Sequence, residues 1–298
     1  MEKLTEVKIH FLIFIFLISA LSANSQSERS KQFLEVFNAL PEKMDCKTNN
    51  EIQKRILFEY GAVYISKGAV LPKRCLFANE TEVTEFINKS GSKLEFGDFY
   101  LQPQAKRSLE FVFQELGGYE NVARNWNYTT SHNKSKGKDI NDDWAFRTYG
   151  QALYNWGYCY SDTYSCDGIL KPSIIEEELK KDDEKKRPKM FSYAVPGGSQ
   201  HHLGLAIDVN NPRNQQINGR FCGKKCESVL EKNGWYRTIP FDPYHFTYLG
   251  FLEFELPGRG LKKVSCDEFE YWVPNVDVKI YPGYKYLKNA ESGCKDVK

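Results

Sequence analysis

The chain has 298 residues, 41% of them hydrophobic, which is enough for a packed core and excludes disorder throughout. Its formal net charge of +2 excludes a strongly basic nucleic-acid binder on bulk electrostatics. No nucleic-acid partner is expected.

The N-terminus has the order of a secretory signal peptide. Lys3, Lys8 and His10 precede the apolar run Phe11 to Leu21, and the small residues Ser22, Ala23 and Ser25 follow. The run is shorter than the ~20 residues a spanning helix needs, so no stable membrane span is expected once residues 1–25 are removed. An uncleaved N-terminal anchor is the alternative. All eight cysteines lie beyond this segment, and an even count in an exported chain suggests disulfides. Sequence proximity suggests Cys159 with Cys166, Cys222 with Cys226, and Cys266 with Cys294. Four Asn-x-Ser/Thr sequons begin at Asn79, Asn88, Asn127 and Asn133 and matter only where the host glycosylates.

Residues 26–95 read as an N-terminal extension, a cap or packing layer. Phe33, Val36, Phe37 and Leu40 recur at helical spacing. Glu59 to Val70 reads as strand, on the β-rich run Val63-Tyr64-Ile65. Gln102 to Leu116 reads as helix: Pro103 suits the first turn, Leu109, Val112, Phe113 and Leu116 share a face, and Gly117-Gly118 stop it. Asn125 to Asn141 is polar and loop-like, and His132 within it is expected to face solvent. Glu176 to Lys189 is a mixed-sign charge run, a solvated helix or loop, with a lid as the sharper reading.

Val195-Pro-Gly-Gly198 is a turn that delivers the chain to Ser199-Gln-His201-His202-Leu-Gly204-Leu-Ala206-Ile-Asp208. Leu205 to Val209 alternates as a strand, with Leu205, Ile207 and Val209 toward a core. Gly204, Ala206 and Asp208 then share the other face, whose small residues would leave room for a metal and a substrate. A further histidine follows in Asp242-Pro243-Tyr244-His245-Phe246. His201, Asp208 and His245 together make a three-ligand set that suits a catalytic zinc with one open position. Adjacent residues of an extended chain point to opposite faces, so His202 is read as a packing or supporting group and not a ligand. Residues 253–298 form a C-terminal extension rich in Tyr, Pro and Lys, a wrapping tail closed by Cys266 and Cys294.

The first motif, led by Val195-Pro-Gly-Gly-Ser199, resembles that of the VanY-type D-alanyl-D-alanine carboxypeptidases, a LAS metallopeptidase group that shares a fold with the Hedgehog N-terminal domain. The segment Asp242 to Gly250 is similar to that group's Glu-Pro-Trp-His-Phe-Arg-Tyr-Val-Gly. Phe146-Arg147-Thr148-Tyr149-Gly-Gln151 resembles its upstream Arg-Ser-Tyr segment, with the Gln one residue short of the usual spacing. The resemblance spans roughly residues 100 to 250.

It implies an α+β domain over residues 96–252, with a small, mostly antiparallel sheet and helices packed on one face. It also implies Zn2+ on His201, Asp208 and His245, with Asp242 as general base and Arg147 gripping a substrate carboxylate. Ser199 and Gln151 would add hydrogen bonds to the substrate. The implied partner is a peptidoglycan stem peptide ending in D-Ala-D-Ala, met outside the cytoplasm by a secreted or periplasmic enzyme. Asp242 departs from the group's Glu by one methylene, and a misplacement near 1 Å can cost ~100-fold in rate. That departure keeps open a non-catalytic, zinc-stabilised binding domain; a peptidoglycan endopeptidase is the other alternative.

Overall fold

The computed structural model describes residues 44, 51–93, 100–118, 145–155, 194–209, 223–240, 242–266, 269–275 and 294–297. The signal segment, the expected helix around Phe33 to Leu40, His132, the Glu176 to Lys189 run and the cysteines Cys159, Cys166 and Cys222 lie outside these residues.

Helix α1, Glu51–Tyr60, runs directly into a 3₁₀ turn, Gly61–Ile65. The strand expected at Glu59 to Val70 is therefore not formed. Val63 and Tyr64 suit a strand by type, but here they are buried together with Gly61 and Ala62 inside the tight turn. The Ser66 hydroxyl closes it by donating to the Val63 carbonyl at 2.7 Å and lies 2.6 Å from the Tyr248 carbonyl. Burial on all sides, with hydrogen bonds closed locally, overrides β propensity.

Helix α2, Glu80–Ser90, is capped by Asn79, whose side chain accepts from the Glu82 N–H at 3.0 Å. A short ribbon follows, β1 (Ser92–Lys93) antiparallel to β2 (Tyr100–Leu101). Helix α3, Pro103–Glu115, starts with proline in its first turn and buries Ala105, Leu109, Val112 and Phe113. It ends as expected at the glycine pair, where the Gly118 N–H reaches back to the Phe113 carbonyl at 2.8 Å.

Helix α4, Tyr149–Asn155, precedes the central sheet, in which β3 (Ala206–Asp208), β5 (His245–Tyr248) and β4 (Trp235–Tyr236) lie in the order β3-β5-β4, all antiparallel. Helix α5, Gly223–Lys232, leads into β4 and packs against it and against α3. The Trp235 indole N–H donates to the Ser108 hydroxyl on α3 at 2.9 Å, which ties that helix to the sheet edge. Strands β6 (Leu261–Cys266), β7 (Phe269–Pro274) and β8 (Cys294–Asp296) form a second antiparallel sheet in the order β7-β6-β8. Cys266 and Cys294 face each other in that register and are disulfide-bonded. The described part of the expected tail forms this second sheet, closed by the expected disulfide and joined to the domain where the Trp272 N–H donates to the Arg237 carbonyl at 2.7 Å.

One continuous core takes Ile56 and Leu57 from α1, Leu109 and Phe113 from α3, Ile207 and Phe246 from the central sheet, and Trp272 from β7. The segment expected as an N-terminal extension therefore shares its core with the central sheet. Among the described residues, no helix is long and apolar enough to cross a membrane.

Candidate metal centre

The chain enters the site through the turn at Pro196-Gly197. Ser199 then caps a 3₁₀ turn, Gln200–Leu203, its hydroxyl accepting from the His201 N–H at 3.3 Å. Gly204 ends the turn with φ +62°, where a Cβ would come within 2.7 Å of the Ile87 side chain. Its backbone carbonyl accepts from the Gln102 N–H at 2.8 Å. Gly204 is small because the left-handed turn and the contact with α2 require it, not to leave room beside a metal as the alternation suggested. Ala206 is fully buried in the strand that follows.

Antiparallel register then brings the two motifs together. Asp208 on β3 stands directly opposite His245 on β5. Directly opposed side chains start about 5 Å apart at Cβ. His201 arrives from the 3₁₀ turn to complete a triangle. Its Nε2 lies 3.1 Å from His245 Nδ1, and each of these nitrogens lies 3.2 Å from Asp208 Oδ1.

The surrounding bonds decide which atoms carry lone pairs. His201 Nδ1 is 2.6 Å from the Ala145 carbonyl, which can only accept, so Nδ1 carries the proton and Nε2 offers a lone pair. The Gln200 amide nitrogen donates to the Tyr60 carbonyl at 2.7 Å, which fixes its oxygen toward His245. His245 Nε2 therefore donates to that oxygen at 2.7 Å, and Nδ1 offers the lone pair. Three acceptors thus converge on one point. Tetrahedral zinc with ligands at 2.0–2.1 Å would set its donor atoms about 3.3 Å apart, close to this triangle. The donor set fits a divalent cation held by His201, Asp208 and His245, a group whose ligand atoms all lie within 4.8 Å of one another.

Burial holds His201 at a pKa of about 4, despite the opposing pull of Asp208, so its ring is neutral at pH 7, the form that ligates a metal. For Asp208, burial pushes upward, but the neighbouring His201 and His245 and the Arg147 guanidinium outweigh it and hold the carboxyl well below the usual range. Arg147 Nη2 donates to Asp208 Oδ2 at 2.9 Å, which turns Oδ1 toward the histidines.

His202 does not join the triangle. Its Nδ1 donates to the Arg147 carbonyl at 2.6 Å and its Nε2 accepts from the Gly197 N–H at 3.2 Å. The two histidines diverge because successive residues of a 3₁₀ turn are rotated by about 120°, not because the chain is extended there. Thr148 and Gln151 form a reciprocal cap on α4: the Gln151 carbonyl oxygen accepts from the Thr148 N–H at 2.6 Å, and the Thr148 hydroxyl accepts from the Gln151 N–H at 3.1 Å. Both groups expected to hydrogen-bond substrate, Ser199 and Gln151, thus have local tasks that hold the histidine turn and the arginine loop in place.

Asp242 opens a β-turn that ends at His245, whose N–H donates to the Asp242 carbonyl at 3.2 Å, with Pro243 at the second position. The Asp242 carboxylate takes the Tyr244 N–H, and burial followed by the charge of Asp208 raises its pKa to about 6, against the lowering pull of His245 and Arg147. One site therefore holds two carboxyls driven in opposite directions, the separation expected when one binds a cation and the other handles protons.

Sequence reasoning missed Gln200, Thr238 and Thr247, all buried behind His245. Thr247 carried a readable signal, since it lies two residues beyond His245 on the same strand face.

Residues 120–251 match the family model VanY, D-alanyl-D-alanine carboxypeptidase. The chain is VanY-like over that stretch. All three members of the triangle, with Asp242 and Arg147, fall inside the VanY-like segment, whereas α1, α2 and α3 precede it. The comparison with curated proteins gave no match. Among solved structures, an LdcB LD-carboxypeptidase, described as revealing the molecular basis of peptidoglycan recognition, matches with 17% identity and a TM-score of 0.26. That match covers 53% of this chain and 65% of the other, so the chain spans less than two thirds of that protein.

Proposed function

We propose that the chain is an exported, zinc-dependent D-alanyl-D-alanine carboxypeptidase of Hedgehog-like fold that trims peptidoglycan stem peptides. The observation that carries this reading is the triangle of three lone-pair donors, His201, Asp208 and His245, inside a segment matched by a carboxypeptidase family model. When bound, zinc supplies Lewis acidity to the scissile carbonyl and to the attacking water.

The chain's own residues supply the rest. Asp242, with a pKa near 6, is ionised at neutral pH yet basic enough to take a proton from water and return it to the leaving amine. Arg147 keeps Asp208 oriented, and its guanidinium would give a terminal substrate carboxylate a charge-assisted partner. The Ser199 cap and the Thr148–Gln151 cap hold the loops that deliver these groups. The export signal and the Cys266–Cys294 disulfide agree with an oxidising compartment.

The deciding experiment measures zinc content and D-Ala release from a stem pentapeptide by the purified protein. Bound zinc with release is the expected result. Bound zinc without release establishes the zinc-stabilised binding domain instead, and cleavage inside the stem or cross-bridge establishes the endopeptidase.

A further inference from the structure

Behind His245 lies a polar cluster that the proposed chemistry does not use. Gln200, Thr238 and Thr247 are each almost wholly buried. The Gln200 carbonyl oxygen lies 2.7 Å from His245 Nε2 and 2.5 Å from the Thr247 hydroxyl. With Thr247 donating there, Thr238 donates to Thr247 across 2.7 Å. The two acceptor sites of the Gln200 oxygen are then filled by an imidazole N–H and a hydroxyl. The amide nitrogen is committed to the Tyr60 carbonyl at 2.7 Å. Turning the amide over would set its oxygen against the Tyr60 carbonyl, two acceptors with no proton between them, so the network permits one orientation.

We propose that Gln200 is the positioning residue of the metal centre: it fixes the tautomer and ring angle of His245, and the Tyr60 carbonyl in turn fixes Gln200. This rests on the reading of His201, Asp208 and His245 as metal ligands. A ligating histidine needs its far nitrogen protonated and held, and loss of such a partner typically weakens metal binding 10–100-fold. Tyr60 ends α1, outside the stretch 120–251 that matches the family model. The N-terminal layer is therefore part of the site's framework. Its attachment is reinforced on either side of the site, where the Lys67 N–H donates to the Leu249 carbonyl at 2.9 Å and the Phe77 N–H to the Gly197 carbonyl at 3.0 Å.

The test compares the full-length wild type with Gln200→Met, which keeps length but removes both polar groups, and Gln200→Glu, which keeps the acceptor for His245 but loses the donor to Tyr60. Zinc affinity is measured by competition with a chromophoric chelator, and the His245 tautomer by nitrogen NMR of the metal-free protein. Gln200→Met is expected to bind zinc at least 10-fold more weakly and to lose the uniform Nε2–H tautomer. Gln200→Glu is expected to keep the tautomer and to bind zinc within about 3-fold of wild type while unfolding at lower denaturant. A purely structural role would change denaturation and leave the tautomer and the affinity of the folded protein alone. Wild-type affinity and tautomer in Gln200→Met overturn the proposal, while zinc binding by wild type still upholds the metal site. A wild type that binds no zinc overturns both. If Gln200→Met does not fold by near-UV circular dichroism, Thr247→Val decides: several-fold weaker zinc binding supports the network, and unchanged binding overturns it.

Discussion

Replacing Asp242 by Asn should stabilise the metal-free protein at neutral pH while sharply lowering the turnover of the zinc-loaded enzyme. The carboxyl is pushed from its ordinary value, near 3.9, to about 6, first by burial and then by the neighbouring charge of Asp208. A folded-state pKa above the unfolded one means that the folded state holds the proton more tightly. Stability therefore falls as pH rises from about 4 to about 6, and above that the ionised carboxylate carries the full penalty. Two pH units at 1.36 kcal/mol each give about 3 kcal/mol. Asn is nearly isosteric with the protonated acid, and its amide oxygen can still take the Tyr244 N–H that the carboxylate takes. Urea denaturation of chelator-treated wild type and Asp242→Asn, at a series of pH values from 4 to 7.5, reads this directly. The expected result is a gain of about 3 kcal/mol for the variant at pH 7.5 that shrinks toward zero near pH 4. Equal stabilities at pH 7.5, or a less stable variant, would refute the idea that Asp242 is held at a cost beside Asp208.

His201→Ala removes one corner of the triangle and is expected to strip zinc and eliminate hydrolysis, which metal analysis of the purified variant and a D-Ala assay check together. Arg147→Ala should affect both of its contacts: a raised KM would report lost grip on the substrate carboxylate, and weaker zinc binding a loosened Asp208. An Arg147→Ala enzyme with wild-type KM, kcat and zinc affinity would remove the arginine from the site. Wild-type kcat/KM should fall as pH drops through about 6 or below, because the base must be ionised, and that acid limb should be missing from whatever activity Asp242→Asn retains.

The site was more legible than the scaffold around it, for physical reasons. His201, Asp208 and His245 could be read together because zinc chemistry restricts ligand types and the motifs are short. The helix at Pro103–Glu115 was legible because proline, an apolar face and a glycine pair each carry local information. The run Val63-Tyr64-Ile65 misled because its conformation is set by neighbours distant in sequence, such as the Tyr248 carbonyl that meets Ser66. Gln200 was invisible for the same reason. Its partners, Tyr60 and His245, lie 140 residues before it and 45 after it, and no local pattern marks a glutamine that must face both. The small residues of the motif were noticed but misassigned, since alternation placed Gly204 on the strand when it ends the 3₁₀ turn before it.

Asp242→Glu tests whether this site is a weakened form of the Glu-bearing pattern or one fitted to the shorter acid. Asp242 holds the first position of a β-turn and its carboxylate bonds the N–H two residues on, a closure suited to Asp and Asn. The same turn carries His245, whose N–H meets the Asp242 carbonyl. A glutamate carries its carboxylate one methylene further, away from the Tyr244 N–H and into a pocket that already contains Asp208 and Arg147. The turn would lose its side-chain bond, and the acid would move by about 1 Å relative to the attacking water, a displacement that can cost ~100-fold. The expected outcome is a lower kcat with zinc affinity within a few-fold of wild type, measured on the same stem pentapeptide. A faster Asp242→Glu enzyme would show that the backbone has kept room for the longer acid and that the Asp is a loss rather than a fit.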